Sequence, residues 1–353
     1  MKYLKLMRAA VSVKPPSLLP LFALVLSSLC APLAVAQTVE DYSMVPPTAS
    51  NSSPPMVMLV MSRDNQLWHK AYNDYSNLDG DENETLETTY VDTFEYYGYF
   101  NSGLCYRYDA DVYRPAAFVA DGTHRCSGLW SGNFLNWLTT TRIDVVRKVL
   151  FGGYRSTDSA DSTILQRAFI PPDNHAFVKI VKNSDIDGTI SDYTPITGES
   201  ELSFCNVTNG SGISGRVDTT AHLPLLKVAR GVRTTWAGSE MVQCLFQHEA
   251  GPALFSPALP NPLIRNIPAT SSMVVRVETC IEGFDRNECR EYYSASGAVA
   301  GYKPYGLLQK YGESGRFKFG LMTGSYQNNT QGGVLRKNIA FMGGQSAASE
   351  DLE

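Results

Sequence analysis

Five histidines in 353 residues are scarce material for acid–base or metal chemistry, and those present do not cluster. His69, His124, His175, His222 and His248 are scattered, and none sits in an H-E-x-x-H helix; His248-Glu249 lacks a second histidine one turn later. The chain also lacks a P-loop and a G-x-S-x-G elbow. A triad can be assembled from distant residues, but nothing here pairs a nucleophile with a base, and the chain reads as a non-enzyme. The glycine-rich GSGISG at 210–215 follows the polar Asn206, Thr208 and Asn209 and is followed by residues 216–220 without helical character, so it reads as a loop and not as a dinucleotide site. Clustered Lys and Arg are missing as well, which excludes nucleic acid as a ligand. After residue 36 no apolar run approaches the ~20 residues of a membrane helix, which predicts no transmembrane span in the mature chain.

What the sequence does contain begins with an export address. Lys2, Lys5, Arg8 and Lys14 precede an apolar stretch at 18–29 broken by Pro20, and Ala34-Val35-Ala36 supplies an A-x-A cleavage site. Residues 1–36 therefore read as a signal peptide. Removing them takes four basic residues and no acidic ones, moving the formal charge from −5 to about −9, with 26 basic against 35 acidic residues left. Acidic exteriors suit exported proteins and hard cations. Of seven cysteines, Cys30 falls in the leader. Cys105, Cys126, Cys205, Cys244, Cys280 and Cys289 remain, an even set that in an exported chain reads as three disulfides out of fifteen possible pairings. Neighbour order suggests Cys105–Cys126, Cys205–Cys244 and Cys280–Cys289. No two have metal-ligand spacing.

Residues 37–55, rich in Pro, Ser and Asn, read as a linker. Apolar runs at 56–61, 177–181, 273–278 and 317–322 predict strands, the first buried on both faces. WSGNFLNWLTTTRIDVVRKVLFGGY at 130–154 predicts one helix. Ser131 is its N-cap, and Gly152 and Gly153 its stop. Leu135, Leu138, Ile143, Val146, Val149 and Leu150 form the buried stripe. Asn136, Thr140, Arg147 and Lys148 are expected to face outward, with Asp144 and Lys148 as a surface pair. Residues 184–223, poor in apolar anchors, read as the least ordered part.

The acidic turn DYSNLDGDENETLE at 74–87 carries the most specific chemistry. Asn77, Asp79, Asp81 and Asn83 alternate around Gly80, and Glu84 or Glu87 could close a bidentate contact. That donor set suits Ca²⁺ with its six to eight oxygen ligands. It departs from an EF-hand loop, which wants glycine at position six and glutamate at twelve, where Glu82 and Thr88 stand when counting from Asn77. Nine Tyr and Phe residues between 90 and 113 read mostly as strand and core residues, with one or two left to face a partner.

Four blocks then carry a resemblance: MLVMSRDNQLWHKAYNDYSNLDGD at 58–81, YYGYFNSGLCY at 96–106, SGNFLNWLTTTRIDVVRKVLFGGYRS at 131–156, and RFKFGLMTGSYQNNTQGGVLRKNI at 316–339. Colinear over most of the chain, they resemble the N-terminal module of PilY-type proteins of bacterial type IV pili. The resemblance implies an α/β fold: a Rossmann-like, von Willebrand factor A-like sheet with helices, spanning 56–345. It would hold a large loop-rich, β-containing, disulfide-braced insertion at about 184–315. The Asp-x-Ser-x-Ser metal loop of that fold is not reproduced at Met61-Ser62-Arg63-Asp64-Asn65-Gln66, so its magnesium site is not carried over, and Ser62 and Asp64 are expected to have structural roles. Residues 346–353 stop without a closing element, whereas proteins resembling this one continue into a C-terminal β-propeller. The resemblance further implies a pilus biogenesis factor and tip-associated adhesin, placed in the periplasm, at the outer membrane surface and on the pilus tip. Its partners would be minor pilins, other pilus-tip proteins, and a host-cell or surface receptor. An exported hydrolase or small-ligand-binding protein on an unrelated α/β scaffold is the competing expectation.

Overall fold

Backbone hydrogen bonding in this chain is met mainly by antiparallel strands. The structure, a computed structural model, describes residues 54–342 except 63, 76, 79–85, 121, 172–174, 209–222, 238–243, 245–271, 285–287, 294–295, 298 and 326–331. The signal peptide, nearly all of the linker, the 210–215 loop and the 346–353 tail lie outside the described residues. In chain order the elements are β1 (Met56–Met61), β2 (Leu104–Asp109), β3 (Val112–Phe118), β4 (Trp130–Ser131), α1 (Gly132–Thr139), α2 (Arg142–Phe151), β5 (Arg155–Asp158), β6 (Thr163–Gln166) and β7 (Phe177–Lys182). They continue with α3 (Ile190–Tyr193), β8 (Glu201–Thr208), β9 (Pro224–Arg230), β10 (Ser272–Val274), β11 (Arg276–Thr279), β12 (Cys289–Tyr293), β13 (Val299–Pro304), α4 (Leu307–Gly312), β14 (Lys318–Gly324) and β15 (Gly333–Ala340).

These strands form four sheets, ordered β10-β9-β8-β7, β4-β2-β3-β11-β6-β5, β12-β13 and β1-β14-β15. Among the described pairings only β1–β14 and the single-residue contact between β11 and β3 are parallel. The architecture is therefore mixed α/β with few and short helices. All four apolar runs fall on strands, yet among the described residues the sheets do not join into one doubly wound layer.

The region at 130–154 departs from the single expected helix. Ser131 does cap α1, accepting from the Phe134 amide at 3.3 Å. The helix then stops at Thr140, where residues 69–71 bond across the gap: Ala71 N donates to Thr140 O at 2.9 Å, and Arg142 N to His69 O at 3.0 Å. Three consecutive threonines favour such a break, because hydroxyl and β-branched side chains compete with helical backbone bonding. Every residue of α1 is buried, so the expected outward face of Asn136 and Thr140 is corrected.

Asn133 and Asn136 serve as backbone clamps. Asn133 accepts from Tyr96 N at 2.7 Å and donates to Phe94 O at 2.8 Å. Asn136 accepts from Phe100 N at 3.0 Å and donates to Tyr96 O and Phe100 O. These bonds satisfy a loop that no strand could pair. The approach is close enough that a Cβ at Gly98 would lie 2.2 Å from Asn136 Oδ1.

The second helix corrects the surface pair. Asp144 is buried; it accepts from Thr141 Oγ1 at 2.6 Å and Ala168 N at 2.9 Å. Lys148, also buried, donates to Gly98 O and pairs with Glu288 at 2.8 Å, while Val149 of the expected buried stripe is exposed. The i, i+4 spacing is right, but Lys148 is turned inward by Gly98 and Glu288, and Asp144 by the helix cap at Thr141 and the Ala168 amide.

The main core lies around α1. Phe134 packs edge-on to Tyr90 and Phe204, and stacks near Tyr193; Trp130 meets Tyr113. Most of the tyrosines at 90–113 are thus core, as expected, with Tyr97 exposed. The region expected to be least ordered contains β8, seven of whose eight residues are buried. Three disulfides join Cys105–Cys126, Cys205–Cys244 and Cys280–Cys289, the neighbour order.

The first strand is also corrected. β1 is an edge strand, and Met56 and Val60 are 67% and 73% exposed. It runs parallel to β14 from Met56↔Lys318 to Met61↔Thr323. Everything from 62 to 317 is therefore an excursion between two neighbouring strands. At the end of β1, Asp64 Oδ1 accepts from Gln66 N at 3.0 Å and Asp64 N donates to Ser62 Oγ at 2.9 Å. These bonds start a single 3-10 turn, so both side chains have the structural roles expected of them.

Candidate functional site

The acidic turn at 74–87 rises from a buried base that its own residues help to build. Asp74 sits in the left-handed region at φ 63°, a conformation that a short polar side chain tolerates. Its carboxylate accepts from Trp137 Nε1 at 2.9 Å and from Lys179 Nζ, with Lys70 Nζ 3.3 Å away. Lys179 comes from β7, whose alternate residues Phe177, Lys179 and Val181 all point inward. Its side chain has no exposure; the ammonium also donates to Tyr72 O at 2.6 Å and lies 4.5 Å from the Trp137 ring centroid.

Burial pushes the Lys179 ammonium down to about 7, against the pull of Asp74, which favours the charged form. Tyr72, whose hydroxyl donates to Tyr97 O at 2.7 Å, is pushed up to about 12 by burial. Carboxylate, ammonium and indole together fix the point from which the turn leaves the core. A cleft of about 80 Å³ opens beside it, lined by residues that include Asp74, Leu78, Glu87 and Trp137.

Of the six expected cation ligands, Asn77 and Glu87 are described; Asp79, Asp81, Asn83 and Glu84 lie outside the described residues. The Glu87 carboxylate accepts from the Leu78 amide through Oε2. This bond closes the stem of the turn across nine residues and commits one of the oxygens counted toward a bidentate contact. Among the described residues no group of three or more His, Cys, Asp or Glu side chains is arranged to hold a metal.

The sequence reading missed Lys179 and Trp137 as supports of this turn. A signal was present: a lone lysine at an inward position of an apolar strand must find an anion, and the acidic turn is rich in them. It also missed the approach of His69 and His175, whose rings lie 4.6 Å apart with His175 buried. Nothing in their spacing shows that.

Two family matches cover parts of the chain. Residues 87–229 match the PilY1 homolog small alpha/beta domain, and residues 319–351 match the PilY1 homolog second domain. Two curated relatives, both described as type IV pilus biogenesis factor PilY1 homologs, come from Xylella fastidiosa. One is 39% identical over 297 residues, covering 80% of this chain and 19% of its own. The other is 28% identical over 289 residues, covering 76% of this chain and 20% of its own. The chain thus spans about a fifth of the length of these relatives. No solved structure matches it significantly. No helix among the described residues is long and apolar enough to cross a membrane. Two separate domain matches, two relatives aligned over most of the chain, and the four colinear sequence blocks agree in supporting a place for this chain in the PilY1-type family.

Proposed function

We propose that this chain is a non-enzymatic type IV pilus biogenesis factor, exported by its leader and acting at the cell surface on pilus assembly. The observation that carries the proposal is the 39% identity over 80% of the chain to a relative described in those words. Three disulfides fit an oxidising compartment, and a clamped, aromatic-rich core fits a part that must resist pulling. In this reading the partners are minor pilins and other pilus-tip proteins, and an attachment role toward a host cell or surface is added to assembly. The small sheet β1-β14-β15 would then be part of a von Willebrand factor A-like layer, with the loop-rich, disulfide-braced insertion at about 184–315 ending just before β14.

Calcium belongs to the same proposal. Asn77, Asp79, Asp81, Asn83, Glu84 and Glu87 would gather oxygens at the tip of a turn whose stem is already closed, so the ion would order the tip without moving the core. The test has two parts. A chromosomal deletion should abolish or strongly reduce surface pili, with restoration by the wild-type gene; normal piliation in the deletion strain would end the reading. Separately, the purified chain should melt higher with Ca²⁺ than with chelator, and Asp79→Asn with Asp81→Asn should remove the difference. An identical melting curve in Ca²⁺ and chelator would remove calcium and leave the pilus role standing.

A further inference from the structure

A second concavity, away from the acidic turn, is the larger one: about 300 Å³, between the C-terminal end of α2, the loop at 97–99, and the segment from Pro304 to Lys310. That volume lies at the lower end of the range of small-ligand sites. Its walls are held by direct backbone contact. A Cβ at Gly152 would lie 2.6 Å from Pro304 C, and one at Gly306 would lie 2.4 Å from Leu150 C; Gly152 also has φ +83°. Side chains tie the same walls together. Gln309 Nε2 donates to Phe151 O at 3.1 Å, and Arg155 Nη2 to Pro304 O at 2.7 Å. The Cys280–Cys289 bond fastens Glu288 at the rim. Such a cavity exists before any ligand arrives, which lowers the ordering cost of binding.

Its lining is amphipathic in a particular way. Tyr305 lines it with a ring, Tyr97 with a ring that carries Lys148 Nζ 4.5 Å from its centroid on one face, and neither phenol hydroxyl has a protein partner among the described residues. Glu288 gives one carboxylate oxygen to Lys148 at 2.8 Å and keeps the other. Lys310 is exposed and has no carboxylate partner among the described residues. Burial first, and the neighbouring Glu288 second, push the Tyr97 phenol up to about 12. The hydroxyl therefore stays a donor throughout the physiological range.

From this geometry we infer that the cavity is a binding site for a single saccharide unit. Flat aromatic faces meet the C–H face of a sugar ring, while phenols, carboxylate and ammonium meet its hydroxyls, which donate and accept alike. An apolar ligand would leave those polar groups unpaired, at a cost in each case. A bare anion would meet Glu288. The inference names the class of surface ligand for the attachment role proposed above, and its biological meaning rests on that reading.

Saturation-transfer NMR on the purified chain tests it, with methyl α-glucoside, N-acetylglucosamine and glucuronate as probes at about 10 mM, the range suited to weak single-unit contacts. Transfer to at least one probe is expected. It should fall about fivefold or more in Tyr305→Phe and in Lys310→Ala, each of which removes polar contacts worth that factor. Both variants should melt within ~2 °C of wild type, as surface changes do. Transfer only from glucuronate would support the site with Lys310 as its main contact. No transfer from any probe, or equal transfer in wild type and both variants, would overturn it. A normal response here with unaltered piliation in the deletion strain would sink the pilus role and keep the sugar site, so the two failures are distinguishable.

Discussion

Two regions of this chain solve the same problem by different means. The region from Leu104 to Thr279 hides its central elements, though not β5: β8 is buried along nearly its whole length, and α1 completely. It then satisfies its irregular backbone with Asn133 and Asn136 and crosslinks itself twice, at Cys105–Cys126 and Cys205–Cys244. The β1-β14-β15 sheet has none of this. Its edge strand MVMLVM is largely open on one face, β15 is mostly exposed, and no described disulfide touches it. A parallel pair such as β1–β14 is normally covered on both faces. The comparison shows that apolar composition alone does not make a strand internal; what decides is whether a second layer is supplied.

The largest break in that contrast is covalent. Cys205–Cys244 closes a span of 39 residues, and the chain-entropy relation assigns such a crosslink about 4 kcal/mol. Replacing both cysteines by serine should lower the urea midpoint of the β8 region accordingly. An unchanged midpoint would mean that the aromatic core alone holds this region.

Next comes the clamp. Asn136→Ala leaves the Phe100 amide and two carbonyls without partners in a buried loop, which should cost about 3 kcal/mol. Asn136→Asp should recover little of it, because a carboxylate accepts from Phe100 N yet cannot donate to either carbonyl. Equilibrium unfolding of both variants reads this directly.

These two features mark how far the sequence could be read. The four strand runs, the Ser131 cap, the Gly152 stop and the order of the crosslinks were legible, because each depends on local chemistry or on neighbours in the chain. The clamp was not. Asn136 lies on the polar side of a helical wheel, and only the Tyr90–Phe100 loop folding over it turns that side inward. The same reason hid the fates of Asp144 and Lys148. At the acidic turn, only the run of acidic and amide side chains was legible, as composition. Its support by Lys179 and Trp137 required knowing that β7 delivers a lysine beneath it.

That lysine gives a pH signature. In the folded chain Lys179 titrates near 7, against 10.5 for an ordinary lysine. Between those values the unfolded chain holds the extra proton, so stability should rise with pH across that window and gain no slope from this group below it. In Lys179→Met the rise between pH 7 and 10 should shrink by at most one proton's worth of slope. The measurement is the denaturant midpoint against pH. A slope identical to wild type would show that Asp74 holds the ammonium charged throughout.

The smallest expected effect sharpens the contrast most. Val60 of β1 and Val181 of β7 are the same residue in strands of the same length, 73% and 0% exposed. Val→Thr swaps a methyl for a hydroxyl at nearly constant volume, so it reports burial of a polar group and little else. At Val181 the hydroxyl meets an apolar core and should cost about 2 kcal/mol. At Val60 water satisfies it, and the change should stay within ~0.5 kcal/mol. The pair becomes most informative in the presence of a partner that packs on this sheet. If a further layer then covers β1, the Val60→Thr cost should climb toward that of Val181→Thr. If it stays near zero there, the open face of β1 is a surface in its own right, and the Met-rich strand is exposed for contact and not for folding.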